Sequence, residues 1–323
     1  MEKKYILQQS YNNNMTPTTI HTVENKKYKW VNVVRTGEEE LQYLEKAYGF
    51  HPLDLKDCLP PLQRPKVVPR QNYLFAIFVF PVFNGHSREI EQHEVDFFIM
   101  KDRVITVHDN TFVDLKNFFQ LMELKPDYKH EIMRSPAHFV SQILDELFDA
   151  CFPMLFHVSN DIDTLRAQVL HGYSRKTVHE ILRLKNNVAA FRKTMQPHRD
   201  LLRRVMNLLP KYIKMSPLDQ HFFDRLVDHT KEIWDHLETY YNAIDAVQDT
   251  HTTLLQFRLN EIMKTLTIFS IIILSLTFFS NLFIIEGIST PIIGSYFDWW
   301  AIIGLMTIGT LAAIGIFKKK KWL

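Results

Sequence analysis

Two uncharged stretches near the C-terminus limit most strongly what this chain can become. Residues 265–285 run for 21 positions without a charge, and residues 299–317 for another 19. A helix needs about 20 apolar residues to cross roughly 30 Å of hydrocarbon. Soluble helices of this length show a polar face. The pattern therefore predicts two transmembrane helices joined by a short loop over 286–298. That loop carries Glu286 and Asp298 and no Lys or Arg. The other ends are flanked by Lys264 and by the run Lys318, Lys319, Lys320 and Lys321. This asymmetry predicts a cell-membrane protein with both termini in the cytoplasm and the loop outside. Tyr296, Trp299 and Trp300 fit an outer aromatic belt, and Trp322 an inner one.

Most of the chain has to be soluble, because 23% of the full sequence is charged. A net charge of +2, with no basic stripe, argues against a nucleic-acid partner. Cys58 and Cys151 form no CxxC pair and are read as reduced, packed thiols. The first 14 residues are polar, so no cleavable signal peptide is expected. Nine glycines are few for this length, which speaks for long helices and against a glycine-rich nucleotide fold. No nucleophile elbow, P-loop or HExxH motif occurs, so neither an enzyme nor an organic cofactor is expected.

Within the soluble part, residues 28–34 read as a strand. Thr36 reads as an N-cap, with Glu39 three residues on, opening a helix through Tyr48. Residues 73–80 are β-branched and aromatic and read as a buried strand. Residues 94–100 and 104–108 read as a hairpin around Lys101 and Asp102. Beyond Pro136 the chain is helical, with helices predicted over 137–170 and 175–195, a break at Gly172, and a kink or break at Pro153. Between Leu218 and Glu286 there is neither Gly nor Pro. Leu226, Ile233, Leu237, Tyr240, Ile244, Val247 and Leu254 recur mostly at spacings of three and four. One helix of about 100 Å is predicted to run into the first span. Its stripe calls for other helices, from further subunits or from a bundle within the chain.

At this point the chain resembles the CorA family of divalent-cation transporters. The likeness is carried by HPLDLKDCL with QRPK at 51–66, by residues 182–202 with Arg192, Pro197 and Leu201, by NEIMKTLTIFSIIILSLT at 260–277, and by FKKKKWL at 317–323. The resemblance implies an α+β cytoplasmic domain with an all-α membrane part, assembled as a funnel-shaped homopentamer. Five copies of the first span would line an axial pore. The expected division is an N-terminal segment (1–27), an α/β domain (28–135), a helical region (136–217), a stalk (218–262), a pore helix (263–285), the loop (286–298), an outer helix (299–317) and a basic tail (318–323). The implied activity is passive flux of Mg²⁺, or of Co²⁺ or Ni²⁺, gated by cytoplasmic metal. The implied partners are the bilayer, the cations and copies of the same chain.

One departure is conspicuous. The family carries Gly-Met-Asn at the outer end of the first span, and the matching positions here are Ile284, Ile285 and Glu286. Ser275 replaces the family's inner-helix proline. Selectivity for Zn²⁺ or another divalent ion, an efflux role, and a non-conducting sensor or scaffold therefore stay open. The residues offer their own reading of a pore face. Asn260, Met263, Thr267, Ser270, Leu274, Thr277 and Asn281 alternate at three and four and gather most of the span's polar groups. Met263 and Leu266 match the family's hydrophobic constriction. The alternative is that these hydroxyls bond their own i−4 carbonyls. Glu286 is either a ring of acids at the mouth or a helix end. Lys318 to Lys321 are either a ring at the pore exit or a lipid anchor. Asp224 and Asp228, one turn apart, are either a shared regulatory cation site or a solvated face. His229 and His236 lack a third ligand, so no zinc site is expected.

Overall fold

The computed structural model describes residues 19–25, 27–171, 175–282 and 298–320. Among the described residues, six strands are interleaved with two α-helices and followed by eight more. In chain order these are β1 (Ile20–Glu24), β2 (Lys29–Val34), α1 (Glu38–Tyr48), α2 (Pro52–Asp57), β3 (Lys66–Pro69), β4 (Leu74–Asn84), β5 (Glu89–Ile99) and β6 (Arg103–His108). Then come α3 (Val113–Leu124), α4 (Pro126–Ile132), α5 (Pro136–Asp149), α6 (Cys151–His171), α7 (Arg175–Met195), α8 (His198–Leu208), α9 (Pro217–Leu282) and α10 (Asp298–Lys319). The strands form one sheet in the order β1-β2-β6-β5-β4-β3. Among the described strands, only β2 and β6 pair in parallel, with Trp30 opposite Val104. The chain divides into two compact units, residues 1–247 and 248–323.

In the first unit the sheet separates two cores. The larger packs Trp30, Phe78, Phe80 and Phe97 against the helices that follow the sheet. Trp30 is fully buried among Phe118, Phe119 and Phe139, and its indole N–H donates to Thr106 Oγ1 at 2.9 Å. The smaller core packs Phe50, Phe75, Phe98 and Leu55 beneath α1 and α2. The segment that opened the family resemblance supplies a buried carboxylate on this side, Asp54. The Asp54 carboxylate accepts from Arg70 Nε at 2.8 Å and from the Tyr73 hydroxyl at 2.7 Å. Burial works to raise its pKa, but those bonds prevail and hold it below the ordinary carboxylate value.

Several boundaries differ from expectation, each for a local reason. The cap of α1 is Gly37 rather than Thr36, because the Glu40 carboxylate reaches back to the Gly37 N–H at 2.8 Å and also accepts from Thr19 Oγ1 at 2.5 Å. The helix expected over 137–170 is two helices, interrupted at Ala150 and not at Pro153. Pro153 falls in the first turn of α6, where a missing N–H removes no intrahelical bond. Strands β1 and β3, not foreseen, are the two edges of the sheet. Edge strands are partly wet, and β3 ends on Pro69, a residue confined to such places. Gly172 lies outside the described residues.

Helix α9 begins on a capping box. Ser216 Oγ accepts from the Asp219 N–H at 3.1 Å, Asp219 accepts from the Ser216 N–H at 2.9 Å, and Pro217 takes the first helical position. From there the helix runs 66 residues without a break, about 100 Å. The stripe of Leu226, Ile233, Leu237, Ile244 and Val247 is buried within the chain's own core. It therefore does not call for other subunits. Arg192 of α7 lies over the rings of Trp234 and Tyr241, at 5.1 and 4.9 Å, and Lys185 pairs with Asp245 at 2.7 Å. Only Leu254, beyond this unit, is left exposed.

Candidate functional site

The second unit contains the C-terminal half of α9, together with α10. Among the described residues, one helix, α9, is long and apolar enough to cross a membrane, and almost none of its apolar stretch is buried. A core helix of a soluble protein would be mostly buried instead. Helix α10 is 22 residues long and exposes Leu305, Ile308, Leu311 and Ile316.

Exposure varies systematically around α9. Ile268 is buried, and Lys264, Ile272, Leu276 and Ser280 are partly covered, at a constant spacing of four. Leu276 lines a groove with Ile303, Met306, Thr307, Thr310 and Leu311 of α10, which identifies this as the α10-facing side. Asn260, Met263, Leu266, Thr267, Ser270, Leu274, Thr277 and Asn281 are all exposed. Positions two residues apart lie about 200° apart on a helix. Ser270 is therefore nearly opposite Ile272, and Leu274 nearly opposite Leu276. The polar heptad face points away from α10. Two of its hydroxyls are engaged locally: Thr267 Oγ1 donates to the Met263 carbonyl at 2.7 Å and Thr277 Oγ1 to the Ile273 carbonyl at 2.9 Å. Ser275, on another face, does the same to Ile271 at 2.8 Å.

The expected mouth residues Ile284, Ile285 and Glu286, and Lys321 of the basic run, lie outside the described residues. Lys318, Lys319 and Lys320 are exposed at the end of α10.

In the first unit, Asp224 and Asp228 are exposed on the outer side of α9. Asp228 borders an open groove with Lys231, Glu232, Asp235, His236 and Thr239. A tighter constellation sits nearby. Ligand atoms of Asp145, Asp149 and His229 lie within 4.8 Å of one another. His229 Nδ1 is 3.5 Å from Asp145 and 3.9 Å from Asp149. Asp145 also pairs with the Arg225 guanidinium. Burial raises the Asp145 pKa, and Arg225 opposes that rise. The third group that His229 lacks in sequence is thus supplied by α5, some eighty positions earlier. The one-turn spacings of Asp145 with Asp149 and of Arg225 with His229 are visible in the sequence, but nothing in it records that the two pairs face each other.

An α/β domain whose final helix runs unbroken into an exposed apolar span is the architecture of a membrane protein. The chain belongs to the CorA family: the family description "CorA-like Mg2+ transporter protein" matches residues 25–319. It is 27% identical to the cobalt/magnesium transport protein CorA of Thermotoga maritima, over 91% of this chain and 83% of that one. It is 22% identical to the cobalt/magnesium transport protein CorA of Methanocaldococcus jannaschii, over 93% of both chains. The complete CorA magnesium transporter structure from Methanocaldococcus jannaschii matches with a TM-score of 0.82 at 20% identity, covering 94% of each chain.

Proposed function

We propose that this chain carries divalent cations passively across the cell membrane, with Mg²⁺ the principal ion and Co²⁺ or Ni²⁺ related cargo. It would work as a homopentamer around an axial pore. Residues 263–285 form the pore helix in this reading, and residues 299–317 an outer span. Both termini are cytoplasmic and 286–298 faces out. The observation that carries the reading is the position of the polar face. Asn260, Thr267, Ser270, Thr277 and Asn281 lie on the side of α9 away from α10, exposed in the single chain. Amides and hydroxyls are costly to leave facing lipid, so such a face belongs against water or other helices. Oxygen groups suit Mg²⁺, which dehydrates reluctantly and is met through its water. Met263 and Leu266 narrow the same face and close it by dewetting.

Five copies of Glu286 concentrate cations at the outer mouth. The basic run 318–321 anchors the tail on anionic lipid. Cytoplasmic cation binding at Asp224 and Asp228, or at the Asp145–Asp149–His229 cluster, gates the pore, and Arg225 competes for Asp145 in the second case. The test is uptake of an ion panel into proteoliposomes, combined with cysteines at 277 and 281. Flux of Mg²⁺ that stops when either cysteine meets a small hydrophilic reagent supports the reading. Labelling by lipid-soluble reagents alone overturns the pore face.

A second reading is favoured by one observation, the absence of Gly-Met-Asn at 284–286. It makes the chain a transporter of altered selectivity, such as Zn²⁺, or a non-conducting sensor. The same ion panel separates these: preference for Zn²⁺ supports the first, and no flux at all supports the second.

A further inference from the structure

The first unit holds a pocket of about 380 Å³, walled by the loop after β2, the end of α2 and strands β5 and β6. Small-molecule sites begin at about 300 Å³. Cys58, Pro60, Leu62 and Val107 supply its apolar wall, and Glu94, Asp96 and Asp109 its acids. Asp96 is 1% exposed, and its Oδ1 has no hydrogen-bond partner.

The fold explains why that oxygen is left over. Asp96 lies opposite Val107 on β6 and Ile77 on β4, and neither side chain offers a donor. Lys66, one strand further on, gives its ammonium to Asp57 at 2.5 Å. Donors in the pocket wall are spent as well. Gln92 Nε2 donates to Thr194 Oγ1 at 2.7 Å, the Cys58 thiol donates to the Asp54 carbonyl at 3.3 Å, and the His93 ring is engaged with Asp109 at 2.5 Å. Arg35 is exposed, where solvent screens its charge. A buried acceptor without a donor is costly, so the pocket calls for a guest rich in hydrogen-bond donors.

The acids define that guest more closely. Glu94 stands on the same face of β5 as Asp96, two residues and about 7 Å along the strand. It accepts one bond, from the Gln63 N–H at 2.8 Å. Ligand atoms that converge closely enough for a metal ion occur, among the described residues, only at Asp145, Asp149 and His229. Two spaced carboxyls beside an apolar wall fit instead a short chain with a cation at each end. An ammonium has three donors and no acceptor. A stem of about four methylenes covers the spacing.

We propose that this pocket binds a short aliphatic diamine in its doubly protonated form, with one ammonium on Asp96, the other on Glu94 and the stem against Cys58, Leu62 and Val107. The guest supplies the positive partners that Lys66, held by Asp57, does not. Its pairing with both carboxylates compensates their burial.

The experiment is calorimetric titration of putrescine into the full-length chain in detergent, at neutral pH and free of divalent ions. The expected result is saturable binding of one guest per chain that millimolar Mg²⁺ does not displace and that Asp228→Asn leaves unchanged. Asp96→Asn, close to isosteric, should weaken binding by roughly tenfold or more, the loss of a bond between charged groups, while the circular dichroism stays that of the parent. Glu94→Gln, at a half-buried position, should weaken putrescine but not n-butylamine, which has no second ammonium. Absence of saturable binding in the parent overturns the site. Full affinity in Asp96→Asn overturns it too, as does displacement by Mg²⁺, the mark of a general acidic surface. Should Asp96→Asn fail to fold, Glu94→Gln decides alone: an unchanged ratio of putrescine to n-butylamine affinity overturns the proposal. None of these readouts involves flux, so the pocket and the transport reading fail separately.

Discussion

Over residues 217–247, α9 buries Leu226, Ile233, Leu237 and Ile244 inside its own chain, whereas beyond residue 248 Leu259, Leu266, Leu274 and Phe278 stand exposed. The backbone does not change between the two halves, and neither do the spacings of three and four. What changes is what meets the side chains. In the first half, α5 and α7 bring a complementary surface, including Arg192 over two aromatic rings. In the second, α10 covers one side and leaves the rest to lipid or to other copies. A heptad stripe therefore says that a helix has a partner, but not which one. The apolar character of the remaining faces decides that.

The contrast is sharp enough to break by mutation. The largest effect is expected from Ile244→Pro, which removes a helical hydrogen bond within a packed turn and costs about 3 kcal/mol or more. The soluble domain should lose its cooperative thermal transition, followed by near-ultraviolet circular dichroism of the full-length chain. A transition unchanged in position would show that this turn is not packed. A finer comparison sets Leu237→Ala against Leu274→Ala. The first leaves a hole in a core and should cost about 2–5 kcal/mol. The second should leave the domain's melting within about 0.5 kcal/mol of the parent and act on flux instead. Equal losses of domain stability would erase the distinction between the halves.

Acid should separate the halves as well. Burial holds His198, caged by Phe78, Phe80 and Phe148, at about 4. Burial, helped by Arg134, does the same to His138, also at about 4. Both are neutral in the folded chain and ionise readily once unfolded, near 6.5. The unfolded chain thus binds more protons as pH falls from about 6.5 towards 4, and stability falls over that window while it is level above it. Each histidine contributes up to about 1.4 kcal/mol per pH unit there. Domain melting measured from pH 7.5 to 4.5 should show that slope, and His198→Phe should flatten it. A slope identical in that variant would place the acid sensitivity elsewhere. The smallest effect belongs to Asp228→Asn on the exposed side of α9, which should change stability by less than about 0.5 kcal/mol. Any role of that residue should then appear only as a change in divalent-cation protection from proteolysis.

Reading the sequence alone succeeded where a pattern repeats and failed where a single contact decides. The length of α9 was visible because nothing from 218 to 285 can stop a helix, and β4 because its residues are apolar on both faces. The edges β1 and β3 were not, since short half-wet strands carry little alternation. The start of α1 slipped by one residue because Glu39 and Glu40 are equally good capping acids on paper, and Thr19 chooses between them. The Asp145–Asp149–His229 cluster was invisible for a related reason. Helix α5 and helix α9 come together through the fold, and no local spacing records that Asp145 faces Arg225. The polar face itself was legible as a heptad, but its placement opposite α10 was not.

The two threonines on that face have a consequence for what can pass beside them. Each directs its only hydroxyl hydrogen at the carbonyl one turn back, so the oxygen shows its lone pairs to whatever lies outside. Water bound to a cation turns its hydrogens outward, and water bound to an anion turns its oxygens outward. At Thr267 and Thr277, where the hydroxyl hydrogens are committed to the backbone, the oxygens can receive the first kind of shell and have no hydrogen to give the second. If that face lines the conduction path, as proposed above, these two positions would read charge sign from the orientation of water.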